Sequence, residues 1–271
     1  MNIDYIAEIG SNHCGDLYLA LDHITQAKEA GATGVKFQLF RAETLDSRPE
    51  VQAQLRPYEL PLGWLPSLRD AAHAEGLTFG VTPFAVDLVE PLRGIVDWVK
   101  ISAYDLTFDD LIVAAAGLNV PVVLSTAMAS LEEIRHAVAG ISQTVILLYG
   151  VAQYPAREDA HRMLQVAHLQ GAFPTIRIGL SDHTRDWLMG AVAVAYGLTW
   201  IEKHFVTKEA RRRGSPDSST SMPFLEFFHM LEVCEMVRMA CITTAGLFAP
   251  QSCEMPLYTT CRRSNEKRVR G

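Results

Sequence analysis

Several segments of the chain that otherwise resemble β-strands carry polar side chains. Lys36 is followed two positions later by Gln38, and Lys100 by Ser102, so each pair shares one face of a strand. A carboxylate and three hydroxyls end four other strand-like segments: Glu8, Thr82, Ser125 and Ser181. Two ammonium groups with several hydroxyls indicate a site for a small anion of two or three charges. Structural ion pairs between the lysines and buried carboxylates are the alternative.

Two histidines follow the same pattern near the end of the strand-like series. His183 lies two residues after Ser181, and His204 follows one helix–strand step later, so the two rings belong to neighbouring strands. Two imidazoles at one end of a sheet can bind a divalent metal and leave positions open for water and substrate. We expect Mn²⁺, with Co²⁺, Fe²⁺, Zn²⁺ and Mg²⁺ as alternatives. Each histidine alone is more typical of a hydrogen-bonded or catalytic residue.

These side chains can meet only if many strand ends converge. Short β-branched runs alternate with helical patterns, which is typical of parallel α/β folds. The predicted strands are Tyr5–Ile9, Gly34–Phe40, Leu77–Pro83, Trp98–Ser102, Val120–Thr126, Val145–Tyr149, Arg177–Ser181 and Thr199–His204. Eight strands in 271 residues, without G-x-G-x-x-G after the first, favour a single-domain (β/α)₈ TIM barrel. Its chemistry would lie at the carboxyl ends of the strands.

The helical patterns complete this architecture. The first helix is expected to begin after Asp16, whose carboxylate can cap it, and to end at Gly31. The other predicted helices are about 65–75, 85–92, 108–116, 131–139, 160–170, 186–196 and 224–239. We assign residues 1–245 to the barrel domain and residues 246–271 to a basic C-terminal tail.

Composition narrows the class of partner. A net charge of −7 argues against nucleic acid, because no domain-wide basic field exists. No apolar run approaches the length of a membrane span, and the first residues lack the layout of a signal peptide. We therefore expect a cytoplasmic protein that does not bind membranes.

Ordered motifs resemble those of one family. Residues 7–16, AEIGSNHCGD, are similar to the opening A-E-I-G-x-N-H-x-G-D of the sialic-acid synthases. The resemblance continues in order through VKFQ (35–38), TPF (82–84), KIS (100–102), LSTAM (124–128), YP (154–155), SDHT (181–184), IEKHF (201–205) and PDS (216–218). It spans about residues 4–240, and the family includes synthases for N-acetylneuraminic, legionaminic and pseudaminic acids.

The resemblance implies a role for each matching residue. Glu8 would be the acid–base residue, and His183 and His204 would hold the metal. The residues that would bind phosphoenolpyruvate are Lys36, Thr82, Lys100, Ser125 and Ser181. Those that would contact an amino sugar are Gln38, Tyr154 and Asp217. The alternation of side chains along the strand places Ser102 on the same face as Lys100, so Ser102 is a further candidate for substrate binding. Asp105 is a second candidate for the acid–base residue, and the alternative is that it is only a surface or capping carboxylate.

The sequence departs from the family pattern at three places. The pattern Lys-x-x-Ser-x-Glu becomes Lys100 followed by Ala103 and Asp105, so one hydroxyl is moved or lost. On strand six, Tyr149-Gly150 stands in place of the His-Cys or Lys-Cys that is usual in the family. Ala152 stands in place of the asparagine or serine that is usual two positions before the tyrosine. The family also carries a C-terminal antifreeze-like domain, which we expect this chain to lack. A homodimer, or a separate antifreeze-like-domain partner, is therefore an expectation only.

The favoured hypothesis is a phosphoenolpyruvate-dependent condensation with an N-acylated amino-sugar aldehyde, which gives a nonulosonic acid and phosphate. A metal-dependent aldolase or hydrolase that acts on another sugar is one rival. A catalytically weakened barrel that serves as a binding subunit for an antifreeze-like-domain partner is the other. The sequence does not identify the acceptor sugar.

Overall fold

The computed structural model describes residues 2–241, and its main feature is a closed parallel barrel. The strands are β1 (Asp4–Gly10), β2 (Gly34–Leu39), β3 (Thr78–Pro83), β4 (Trp98–Ile101), β5 (Val122–Ser125), β6 (Val145–Gly150), β7 (Arg177–Asp182), β8 (Trp200–Val206) and the short β9 (Met222–Pro223). Strands β1 to β8 pair in chain order, and β1 also pairs with β8. The predicted (β/α)₈ barrel is confirmed. The tail predicted for 246–271 lies outside the described residues.

The helices surround the barrel. They are α1 (Leu17–Glu29), α2 (Ala42–Leu45), α3 (Pro49–Leu55), α4 (Leu65–Ala74), α5 (Asp109–Ala116), α6 (Leu131–Ala139), α7 (Leu164–Ala172), α8 (Leu188–Ala195), α9 (Lys208–Arg212) and α10 (Phe224–Cys241). Asp16 caps α1 as expected, because its carboxylate accepts hydrogen bonds from the amides of Tyr18 and Leu19. Among the helices of residues 2–241, none combines the length and the apolar character that a membrane span needs.

One helix prediction is wrong. Residues 85–92 form two short 3₁₀ turns, Val86–Leu88 and Glu90–Leu92, instead of one α-helix. Pro91 has no amide hydrogen to donate, so it cannot lie in the interior of a helix without loss of a hydrogen bond. The sequence also gave no prediction of α2 and α3, which lie in the long connection between β2 and α4.

Alternation along the strands separates two cores. On β2, Val35, Phe37 and Leu39 are buried in the layer between the barrel and its helices. The neighbours Lys36 and Gln38 point into the barrel, because successive strand residues face opposite sides. The strand pairings then align polar residues, since Lys36 lies opposite Glu8, and Glu8 lies opposite His204.

A hydrophobic cluster that contains two tryptophans fills the barrel near the amino ends of its strands. Trp98 and Trp200 begin β4 and β8, and their rings meet edge to face with centroids 5.0 Å apart. The cluster is completed by Ile6, Val123, Ile146 and Leu148. Gly80 leaves room for the Trp98 ring, because a Cβ at position 80 would clash with ring atoms at 2.3 Å. We call this cluster the barrel floor, and the polar residues lie above it.

Lys203 fixes the loop that follows β7 from the outer side of the barrel. Its ammonium is fully buried and lies 2.8 Å from the Asp182 carboxylate. It also donates to the carbonyls of Thr184 and Asp186, at 2.6 and 2.9 Å. These bonds hold both sides of His183, so the position of that histidine depends on a buried ion pair.

We expect Lys203→Met to lower the free energy of unfolding by about 3–5 kcal/mol, because Asp182 would remain buried without its partner. Urea denaturation measures the change. The control is Arg41→Met, which removes the solvent-exposed pair with Asp87 and should cost about 1 kcal/mol or less. Similar losses in both variants would contradict the role assigned to Lys203.

Candidate functional site

A cavity of about 200 Å³ opens at the carboxyl ends of the strands, above the barrel floor. Of the thirteen predicted site residues, all but one line it. These are Glu8, Lys36, Gln38, Thr82, Lys100, Ser102, Ser125, Tyr154, Ser181, His183, His204 and Asp217. Four further residues complete the lining, namely Phe84, Ala103, Tyr104 and Glu202. The exception is Asp105.

The first lysine lies between a carboxylate and a hydroxyl from the neighbouring strands. The Lys36 ammonium is 2.6 Å from Glu8 Oε2 and donates to Thr82 Oγ1 at 2.9 Å. Gln38 donates from Nε2 to the other Glu8 oxygen at 2.9 Å. All three contacts follow from strand register, which sets β2 between β1 and β3.

The second lysine bridges the barrel. Lys100, on β4, forms an ion pair with Glu202 on β8 and donates to Ser181 Oγ at 3.2 Å. Glu202 Oε1 is also 4.0 Å from the Lys36 ammonium, so one carboxylate interacts with both lysines. The ion pairs that the sequence left as an alternative are therefore present, but they lie within the cavity lining.

The buried charges change one another's acidity. Burial lowers the pKa of Lys100 against the opposing effect of Glu202. Burial raises the pKa of Glu8, although Lys36 opposes the shift. Burial would also raise the pKa of Glu202, but Lys100 and Lys36 outweigh it and hold that pKa below its ordinary value. Glu8 is therefore the easier of the two carboxyls to protonate.

The two histidines meet at the same cavity. Their ring centroids are 5.7 Å apart, and the planes are inclined by 56°. His183 Nδ1 lies 2.7 Å from the carbonyl oxygen of Val151, so Nδ1 carries the hydrogen, and the lone pair is on Nε2, which lies 3.4 Å from Ser181 Oγ. A hydrogen bond from the second ring nitrogen to a carbonyl is typical of metal-binding histidines. His204 Nδ1 is buried without a hydrogen-bond partner.

Both rings are in the form that binds metals. Burial lowers the pKa of His183 to about 4. Burial, followed by the proximity of His183, lowers the pKa of His204 well below its ordinary value. Among the described residues, no group of three or more His, Cys, Asp or Glu side chains is arranged as a metal site. The residues fit a metal with two protein ligands, whose remaining positions would belong to water or substrate.

The residues expected to contact a sugar lie beside the histidines. Tyr154 packs on His183 with ring centroids 4.2 Å apart, and a cis peptide bond joins it to Pro155. Asp217 is 3.7 Å from His204 Nδ1, and its Oδ2 is buried without a hydrogen-bond partner. Burial raises the pKa of Asp217. This side of the cavity thus has hydrogen-bonding capacity that the protein itself does not use.

Asp105 lies outside the cavity lining. The strand ends at Ile101, and Ser102 then accepts a hydrogen bond from the Tyr104 amide to begin a 3₁₀ turn over Ala103–Asp105. The turn begins directly after β4, so the residues that follow Ser102 no longer alternate between two faces as they would in a strand. Burial raises the pKa of Asp105, and a hydrogen bond with the Ser102 side chain opposes the shift.

Sequence reasoning left four lining residues out of the site. Glu202 shares a face with His204, and that parity was available as a signal. Phe84 lay within a quoted motif. Ala103 stands where the family pattern has serine, so the resemblance was a signal for it. Tyr104 gave none, because the 3₁₀ turn that brings it to the cavity is not a regular strand.

Comparison with known proteins gives one consistent family. The model of the NeuB family matches residues 23–244. An N,N'-diacetyllegionaminic acid synthase from Legionella pneumophila is 31% identical over 96% of this chain and 78% of its own length. A pseudaminic acid synthase from Helicobacter pylori is 31% identical over 84% of this chain and 72% of its own length.

Solved structures give the same result. The crystal structure of an N-acetylneuraminic acid (sialic acid) synthetase from Leptospira borgpetersenii serovar Hardjo-bovis, in complex with citrate, is similar with a TM-score of 0.88. Sequence identity to it is 30%, and the match covers 97% of this chain and 94% of that one. The chain is similar to these three proteins over 84% to 97% of its length.

Gly10 provides a test of how closely the site is packed. Its φ is +54°, and a Cβ there would lie 2.8 Å from Asp217 Oδ2 and 3.1 Å from Glu8 Oε1. We expect Gly10→Ala to lower the free energy of unfolding by about 1–2 kcal/mol, because alanine disfavours this backbone conformation. Thermal or urea denaturation measures the change.

The matched control is Gly140→Ala. Gly140 follows α6 at φ −83°, and a Cβ there meets no atom within 4 Å. This substitution should be neutral or slightly stabilising. Equal destabilisation by both substitutions would show that the packing around Gly10 is not constrained.

Proposed function

Since the chain belongs to the NeuB family, we propose that it condenses phosphoenolpyruvate with an N-acylated amino-sugar aldehyde to give a nonulosonic acid and phosphate. Relatives named as legionaminic and pseudaminic acid synthases support sugar-acid synthesis as the activity. The observation that carries the proposal is the convergence in one cavity of two lysines, several hydroxyls and two neutral imidazoles.

The deep part of the cavity has the chemistry that phosphoenolpyruvate needs. Lys36 and Lys100 offer two positive charges for its carboxylate and phosphate. The hydroxyls of Thr82, Ser125 and Ser181 are buried at the same depth and can donate directional hydrogen bonds to the anion. Each lysine already touches a carboxylate, so ammonium groups stay in place before the substrate arrives.

The reaction forms one carbon–carbon bond. C3 of phosphoenolpyruvate attacks the aldehyde carbon, and positive charge develops at C2. A divalent metal held by His183 and His204, with Mn²⁺ as the first choice, would polarise the aldehyde oxygen and stabilise the negative charge that forms there. Lys36 and Lys100 keep the phosphate and carboxylate oriented while the bond forms.

Glu8 then handles the proton of the second step. A water adds at C2 and its proton passes to the Glu8 carboxylate, which gives it to the alkoxide formed from the aldehyde. The tetrahedral intermediate then expels phosphate by cleavage of its C2–oxygen bond, and the proton of the C2 hydroxyl leaves with the phosphate, which gives the ketone. Glu8 is suited to this role because burial raises its pKa, which makes the carboxylate a better proton acceptor, while Lys36 and Gln38 fix its position. Asp105 remains a candidate acid–base residue, but it does not line the cavity.

Two rivals are distinguished by the same assay. A metal-dependent aldolase would use pyruvate in place of phosphoenolpyruvate. A binding subunit would require an antifreeze-like-domain partner, and Ala103, which lines the cavity where the family pattern has serine, favours a weakened barrel. The homodimer and such a partner stay predictions.

We expect the purified chain with Mn²⁺, phosphoenolpyruvate and a panel of N-acylated hexosamines to release phosphate and form a nine-carbon acid. His183→Ala and His204→Ala should each lower kcat by at least about 100-fold and retain the fold measured by circular dichroism. Turnover with pyruvate, or unchanged rates in both variants, would contradict the proposal. Activity only after addition of an antifreeze-like-domain protein would favour the binding-subunit rival.

The anion site has its own test. We expect Ser125→Ala to raise KM for phosphoenolpyruvate about tenfold, because a buried hydroxyl that donates to an anion is worth about 1.5 kcal/mol. The KM for the acceptor should change little. Ser67→Ala, which removes the hydroxyl of an exposed serine on α4, is the matched control and should leave both KM values unchanged. Equal effects of Ser125→Ala on both substrates would remove Ser125 from the anion site.

A further inference from the structure

The cavity changes character between its depth and its mouth. The deep residues are charged or carry hydroxyls, and they are almost fully buried, as with Lys36 at 2% exposure and Ser181 at 1%. The mouth instead carries aromatic rings from three strand ends, contributed by Phe84, Tyr104 and Tyr154. A ligand that fills the cavity therefore has one end in a charged environment and the other against aromatic faces.

Tyr104 is the unusual member of this group. Its side chain is 63% exposed although it borders the cavity, so its ring is largely without protein contacts. An exposed tyrosine ring at the edge of a concave site offers an aromatic face that a ligand can cover. None of the roles derived above for the condensation uses this ring.

The backbone of Tyr104 is nevertheless well defined. Its amide donates to Ser102 Oγ at 3.1 Å, and the same serine begins the 3₁₀ turn Ala103–Asp105. Ala103 precedes it with a side chain of one carbon, which leaves space beside the ring within the cavity lining. The turn therefore presents one large ring next to one small residue.

Tyr154 lies on the same side of the mouth. The exposed fraction of Tyr154 is 48%, and its ring packs on the ring of His183. Tyr104 and Tyr154 line the same cavity, so both rings border the space that a ligand would fill. Tyr154 is thus supported by the protein, whereas Tyr104 can adjust to what enters.

We propose that Tyr104 is a specificity-determining residue, whose ring stacks with Tyr154 around the apolar face of the acceptor sugar and favours acceptors that carry a deoxy or methyl carbon there. Aromatic rings bind the C–H face of a sugar and gain most where hydroxyls are missing, because no hydroxyl then loses water. The inference rests on the proposed function for the identity of the acceptor as a sugar aldehyde.

The experiment compares steady-state kinetics of the unmutated protein, Tyr104→Ala and Tyr104→Phe. The acceptors are 2-acetamido-2-deoxyhexoses of gluco, manno and galacto configuration and their 6-deoxy analogues. We expect Tyr104→Ala to raise KM for the preferred 6-deoxy acceptor about tenfold, with KM for phosphoenolpyruvate unchanged. Tyr104→Phe keeps the ring and should return the acceptor KM to within about threefold of the unmutated value.

Tyr18→Ala is the matched control. Tyr18 is a tyrosine of 82% exposure on α1 that does not line the cavity, and its loss should leave both KM values unchanged. The decisive quantity is the ratio of KM for each hydroxylated acceptor to that for its 6-deoxy analogue. This ratio should exceed one in the unmutated protein and fall towards one in Tyr104→Ala.

Two results would overturn the inference. One is an unchanged acceptor KM and an unchanged ratio in Tyr104→Ala, and the other is an equal rise in KM for both substrates. Saturation-transfer NMR of the same sugars, without phosphoenolpyruvate, separates this inference from the proposed function. Absence of turnover together with sugar binding that is lost in Tyr104→Ala would reject the condensation and retain the aromatic site, whereas no sugar binding to the unmutated protein would reject the aromatic site.

Discussion

The structure depends on how two lysines can be buried in one cavity. Removing an ammonium group from water costs several kcal/mol unless a partner compensates it, and two such groups also repel each other. Glu8 compensates Lys36, and Glu202 compensates Lys100 while remaining near Lys36. The four residues come from β1, β2, β4 and β8, so only a closed barrel brings them together. The same compensation leaves the ammonium groups in position for an anionic ligand.

Strand β8 shows how alternation lets three successive residues act on two sides of the sheet. Glu202 and His204 face the cavity, where one balances the lysines and the other pairs with His183. Lys203, between them, faces outwards and secures the loop that contains His183. The imidazoles are thus positioned from inside by packing and from outside by a buried ion pair. A shift of β8 by one residue would exchange these roles and bury the wrong charges.

Sequence reasoning predicted the barrel and most of the cavity because both depend on regular strands. On β2, the alternation of apolar residues with Lys36 and Gln38 is enough to decide which face is inside. The helix prediction failed where regularity ends, because Pro91 divides the expected helix. The 3₁₀ turn that begins at Ser102 leaves Asp105 outside the cavity lining. Tyr104 could not be foreseen, since its place at the mouth depends on the three-dimensional path of a 3₁₀ turn.

The barrel floor has a kinetic consequence. Because Trp98 and Trp200 fill the barrel near the amino ends of the strands, the described residues form a blind channel that is entered from the carboxyl ends alone. A molecule seated at the aromatic mouth obstructs the route to the lysines beneath it. For the proposed condensation, this geometry implies compulsory-order kinetics, with the anion first and the acceptor second, in which an excess of acceptor would trap the free protein in a dead-end complex.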